Sequence, residues 1–127
     1  MDLRLPLAEL VTKVNGAFGA ILTDSDGEAV SIFALPDQAD ESPYTGKERL
    51  QLIGAYQTIT LRSCSRLSQR FNTGTVNYLI CRFDSATVLI KALKNNYALM
   101  LAMRADSHVG QGMLYLNEVA EIINQDL

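Results

Sequence analysis

Side chains that commonly carry chemistry are scarce here. Among 127 residues there are one histidine, two cysteines and no tryptophan. His108 has no partner at metal-ligand spacing and reads as a structural residue. Cys64 and Cys81 lack such spacing too, and read as reduced thiols packed as small hydrophobes. Ser63, Ser65 and Ser68 have no Gly-x-Ser-x-Gly setting. Gly16 and Gly19 are not followed by the Lys-Ser/Thr of a phosphate-binding loop, so the chain is not expected to bind GTP itself. Asp24, Asp26 and Glu28 suggest a calcium loop at first sight. Around Gly27, however, the first and last ligand positions of such a loop hold Leu22 and Phe33, and a plain turn is expected. There is no excess of positive charge: Lys and Arg total 11 against 14 Asp and Glu, net -3, pI about 5.0. Nucleic acid would need a concentrated basic surface, so none is expected as a partner. No apolar run reaches the roughly 18 residues of a membrane span. Asp2 stands where an export signal needs positive charge, and Pro6 follows soon after. The expectation is a cytoplasmic chain with no membrane insertion, no metal and no cofactor.

What is present is apolar periodicity. The composition is 48% hydrophobic, enough for a substantial core in one domain spanning residues 1–127. Leu3, Leu7, Leu10, Val11 and Val14 recur at helical steps, and Asn15-Gly16 supplies the stop. The run from Ala17 through Leu22 predicts a strand buried on both faces. Asp24-Ser25-Asp26-Gly27 predicts a hairpin turn, with the return strand over 28–35 ending at Pro36. Residues 37–43 are acidic, contain proline and read as a loop. Thr45-Gly46-Lys47-Glu48 fits a capping box, with Ser42-Pro43 an alternative start one turn earlier. The long helix that follows reaches about Phe71 and stops at Asn72-Thr73-Gly74. Three strands come next, over 75–83, 86–93 and 97–103, the last two parted by a Lys94-Asn95-Asn96 turn. The 97–103 strand is apolar throughout and belongs at the sheet centre. A final helix opens at Asp106 or Ser107. It carries Val109, Met113, Leu116, Ala120, Ile123 and Leu127 on one stripe.

The middle helix has two apolar stripes. Leu50, Ile53, Leu61, Cys64, Leu67 and Phe71 form one; Leu52, Ala55, Tyr56 and Ile59 form another. Covering a sheet requires only one. The second points to a dimer interface, or else to a helix sunk between the sheet and the terminal helices of its own chain. Gly54 and Ala55 leave room for a neighbour's backbone. Arg62, Arg66 and Arg70 recur every fourth residue as a basic stripe, either a solvated face or a docking surface for an acidic partner.

The order α-β-β-α-β-β-β-α and a set of local features resemble the roadblock/dynein light-chain family. The set comprises Leu10-Val11 through Asn15-Gly16-Ala17-Phe18-Gly19-Ala20-Ile21-Leu22, then Asp24-Ser25-Asp26-Gly27-Glu28. It continues with Val88-Leu89-Ile90, Leu99-Met100-Leu101 and Val109-Gly110-Gln111-Gly112-Met113. The resemblance spans essentially the whole chain. It implies an α/β, profilin-like roadblock sandwich: a five-stranded antiparallel sheet with helices on both faces. It implies dimers in which the middle helices pair and the sheets join edge to edge, here through 75–83. The interface would comprise Leu52, Ala55, Tyr56, Ile59, Val76, Tyr78 and Ile80. It implies no catalytic residues and a Ras-like small GTPase as partner, regulated or scaffolded by this chain, with or without faster hydrolysis. The alternative is a structural light-chain-like adaptor in a larger complex, without a GTPase. A small-molecule sensor is a third reading, but the unbroken apolar runs argue for a filled core.

Overall fold

A computed structural model describes residues 2–36 and 46–127. The expected acidic loop over 37–43, the Ser42-Pro43 start and Thr45 of the capping box lie outside the described residues. The elements are α1 (Arg4–Lys13), β1 (Ala17–Thr23), β2 (Ala29–Ala34), α2 (Gly46–Phe71), β3 (Tyr78–Arg82), β4 (Ala86–Ala92), β5 (Ala98–Arg104) and α3 (Val109–Asn124). Their order is the one read from the sequence. The sheet runs β2-β1-β5-β4-β3 and every neighbouring pair is antiparallel.

β5 sits between β1 and β4 and offers apolar side chains to both layers along almost its whole length. Leu99, Leu101 and Met103 join a core with Leu7, Leu10 and Val11 of α1 and Leu116, Ala120 and Ile123 of α3. Ala98 and Met100 point the other way, into a second core with Ile21, Val88, Ile90 and Leu61 of α2. Thus α1 lies over β1 and β2, α3 over β4 and β5, and α2 alone covers the opposite face.

Local chemistry sets the turns. Between β1 and β2, Asp24 Oδ1 accepts from the amides of Asp26 at 2.9 Å and Glu28 at 3.1 Å. This carboxylate organises the hairpin turn. Asn95 and Asn96 take positive φ in the short turn before β5, a conformation their side chains tolerate. Gly16 leaves α1 at φ +88°, and a Cβ there would collide with Ser107.

Several expectations need correction. Neither Asp106 nor Ser107 caps α3; the N-cap is His108, without a side-chain cap bond. Ser107 instead packs its hydroxyl against Gly16. Gly54 makes room for the chain's own sheet: a Cβ there would come within 2.9 Å of Ile21 Cδ1 and 3.2 Å of Thr23 Cγ2. β3 is shorter than the expected 75–83 strand. Ahead of it, only Asn77 reaches β4, accepting from the Ala92 amide at 3.1 Å. Finally, Leu67 and Phe71 do not continue the sheet-facing stripe; both are exposed. Helix geometry accounts for this. At 1.5 Å per residue the 26 residues of α2 extend about 39 Å, whereas a seven-residue strand spans about 23 Å. The last buried side chain of α2 is Leu61, and the turns beyond it overhang the sheet.

Candidate interaction surface

α2 can be oriented by its own contacts. Gly54 and Leu61 face the sheet. Thr58 touches Gly27 in the β1–β2 turn, and Gln57 Oε1 accepts from Cys81 Sγ of β3 at 3.4 Å. One flank of α2 therefore looks toward β2 and the other toward β3. At about 100° per residue, Leu52, Tyr56 and Ile59 project away from the sheet. Tyr56 is 66% and Ile59 60% exposed, and Leu52 and Ala55 are exposed beside them. The sequence-derived second stripe is thus an open apolar surface and not a face sunk within the chain.

Arg62, Arg66 and Arg70 are exposed as well. They continue this outward surface along the overhang and make no ion pair among the described residues. Leu67 and Phe71 stand there with them, Phe71 at 69% exposure. Sequence reasoning placed these two on the buried stripe because their spacing continues it. The available signal was helix length against strand length.

β3 has β4 on one side only, so its other backbone edge is unpaired within the sheet. Of the three strand-side residues expected at the interface, Val76 is half-buried and packs into the α2-side core. Tyr78 and Ile80 are exposed at 51% and 44%, but they do not share a face with Leu52, Tyr56 and Ile59. Along β3 the side chains alternate: Leu79 and Cys81 turn to α2, while Tyr78, Ile80 and Arg82 turn to the α1–α3 side. The register fixes this, pairing Leu79 with Ile90, and Ile80 with Leu89 of the other core. The expected interface residues therefore divide between two faces that meet at the β3 edge.

Cys64 and Cys81 are both free thiols. Burial pushes the Cys81 thiol above its ordinary range, and the neighbouring Cys64 acts in the same direction. Such a thiol is a poor nucleophile. A cleft of about 450 Å³ beside the start of α3 is lined by Asn15, Arg104, Asp106, Ser107, His108 and Gln111. Arg104 there lies 3.7 Å from Asp106, both exposed.

The chain superposes on solved structures over nearly its whole length. The fold is the roadblock fold. A Roadblock/LC7 domain from Streptomyces avermitilis superposes with a TM-score of 0.82, covering 98% of this chain and 97% of that one at 16% identity. MglB in a tetrameric arrangement gives 0.81, covering 97% and 85% at 14% identity. MglC from Myxococcus xanthus gives 0.68, covering 100% of both at 21% identity. No family model matches the sequence, and no curated protein matches it. Among the described residues, the open α2 face and the β3 edge are left without an intramolecular role. No described helix is long and apolar enough to cross a membrane.

Proposed function

We propose that this chain is a non-enzymatic dimer that regulates or scaffolds a Ras-like small GTPase. One observation carries the reading: the fold leaves open both an apolar face of α2 and the unpaired backbone edge of β3. An isolated subunit would leave Leu52, Tyr56, Ile59, Leu67 and Phe71 in water, together with a strand ready to pair. Joining two copies through β3, with α2 against its counterpart, satisfies both features with one two-fold axis. The sharing of the roadblock fold with MglB and MglC supports a place in GTPase signalling.

In this reading the arginine stripe is the docking surface. Each guanidinium offers a planar fork that binds carboxylates bidentately, and a dimer presents two such stripes. Arginines at the rim chiefly raise association rate and salt dependence, whereas a desolvated central one slows dissociation. Any acceleration of hydrolysis would come from ordering the GTPase's own switch segments.

The test mixes the chain with candidate Ras-like GTPases loaded with GDP or a GTP analogue, measuring affinity by calorimetry. The expected result is tighter binding of the GTP-analogue form, weakened by Arg62→Glu with Arg66→Glu. Equal binding to both states removes nucleotide-dependent regulation, since a ligand without differential affinity shifts no equilibrium. It would leave the passive adaptor. No binding to any candidate overturns the GTPase reading.

A further inference from the structure

Asn15-Gly16 is the one Asn-Gly pair in the chain. Such a pair can react with itself. The side-chain amide carbon of Asn15 and the backbone nitrogen of Gly16 can close a five-membered ring. Glycine has no Cβ to crowd that nitrogen. In a folded chain the outcome depends on whether the nitrogen is already engaged and whether the backbone there can turn.

The junction between α1 and β1 leaves this nitrogen free. Asn15 is exposed. The Gly16 amide makes no hydrogen bond among the described residues, although both its neighbours are engaged. The Asn15 amide donates to Gln111 Oε1 at 3.1 Å, and the Ala17 amide to the Val14 carbonyl at 3.2 Å. The competing positions differ. Asp26-Gly27 is the comparable acid-glycine pair, but the Gly27 amide donates to the Asp24 carbonyl at 3.0 Å. The nitrogens after Asn72 and Asn96 belong to Thr73 and Tyr97, which donate to Ser68 and Lys94. Asn117 is held inside α3.

We propose that Asn15 is a site of spontaneous deamidation, with water as the co-reactant. The Gly16 nitrogen attacks Asn15 Cγ, the Cγ–Nδ2 bond breaks, and ammonia leaves carrying the proton lost from Gly16. Water then opens the resulting succinimide. Opening at Cγ leaves aspartate in a normal backbone. Opening at the main-chain carbonyl leaves isoaspartate, whose backbone runs through Cβ and Cγ. Either product adds one carboxylate to the cleft that Asn15 shares with Arg104, Asp106 and His108. Lys13 stands one turn end away, in the last turn of α1. Isoaspartate also adds an atom to the chain just before Gly16. That residue packs tightly against Ser107, and its carbonyl accepts from the Arg104 amide at 2.9 Å, joining the start of β1 to the end of β5. Ring closure needs rotation about the Cα–C bond of Asn15, so the junction must open first. The Gln111 hydrogen bond is therefore the gate.

The experiment ages the full chain in warm, mildly alkaline buffer made with heavy-oxygen water. Peptide mass mapping and an isoaspartyl methyltransferase assay follow the products. The expected result is exchange of the Asn15 amide for labelled oxygen before any other asparagine reacts, with ammonia release lost in Asn15→Gln. Gln111→Ala is expected to speed conversion about fivefold, the effect of losing one exposed hydrogen bond; its thermal melt is recorded to confirm that it folds. The isoaspartyl form, separated by anion exchange, is expected to melt below the starting chain. An Asn15 that stays intact, or that reacts no sooner than Asn72 or Asn96, overturns the site. A Gln111→Ala variant that folds and reacts at the parent rate overturns the gate, and equal melts overturn the coupling to β5.

Discussion

Thr87 is 1% exposed, and its hydroxyl finds no hydrogen-bond partner among the described residues. A buried hydroxyl without a partner carries its desolvation cost uncompensated. Thr87→Val keeps the shape and β-branching, so it should stabilise the fold by about 1 kcal/mol, raising the urea midpoint at unchanged slope. A lower midpoint would show that the hydroxyl is satisfied. Cys81 gives a prediction in pH. Its thiol is shifted upward by burial and then by Cys64, so the folded state holds the proton more tightly than the unfolded chain. The corresponding stability is fully present below the ordinary thiol range and is lost as pH rises through the raised value. The native chain should melt progressively lower across alkaline pH, with a shallower fall in Cys81→Ala. Parallel curves would remove Cys81 as the source. At this scale the sequence was partly legible. The turn role of Asp24 follows from the Asp-Gly pattern, but the roles of Ser107 and Gly54 do not. Both depend on elements remote in sequence: Gly16 against Ser107, and Ile21 and Thr23 against Gly54.

Among the elements, α2 shows where periodicity informs and where it misleads. Two apolar stripes on one helix were evident from spacing alone, and one of them is open to solvent. Spacing could not show where the sheet beneath the helix ends, so Leu67 and Phe71 were counted as buried. It also could not show that Tyr78 and Ile80 face away from α2, because alternation along β3 assigns residues to two sides without saying which side lies under which helix. The β3–β4 register supplies that. Tyr56→Glu with Ile59→Glu places charges on the open face of α2 and touches neither core. The pair should halve the sedimentation mass from about twice 14.0 kDa while leaving the circular dichroism spectrum intact. An unchanged mass would exclude α2 from self-association.

For the molecule as a whole, the central position of β5 was legible because a strand apolar on both faces can only lie between two covered neighbours. Leu101 is fully buried, opposite Ala20 on β1 and Leu89 on β4. Leu101→Asp would leave an unpaired charge in the core and should abolish cooperative thermal unfolding; a soluble variant that melts sharply would contradict that placement. The same pairing has a consequence for synthesis on the ribosome. β1 lies in the first quarter of the chain, yet one of its two hydrogen-bonded neighbours is β5, so Ala20 must wait for Leu101. Until then the β1–β2 hairpin exposes an apolar edge, and the long-range closure that seals it is slow to find. The β1–β2 hairpin is therefore in need of shielding while the nascent chain grows, and release from that shielding should coincide with the emergence of β5.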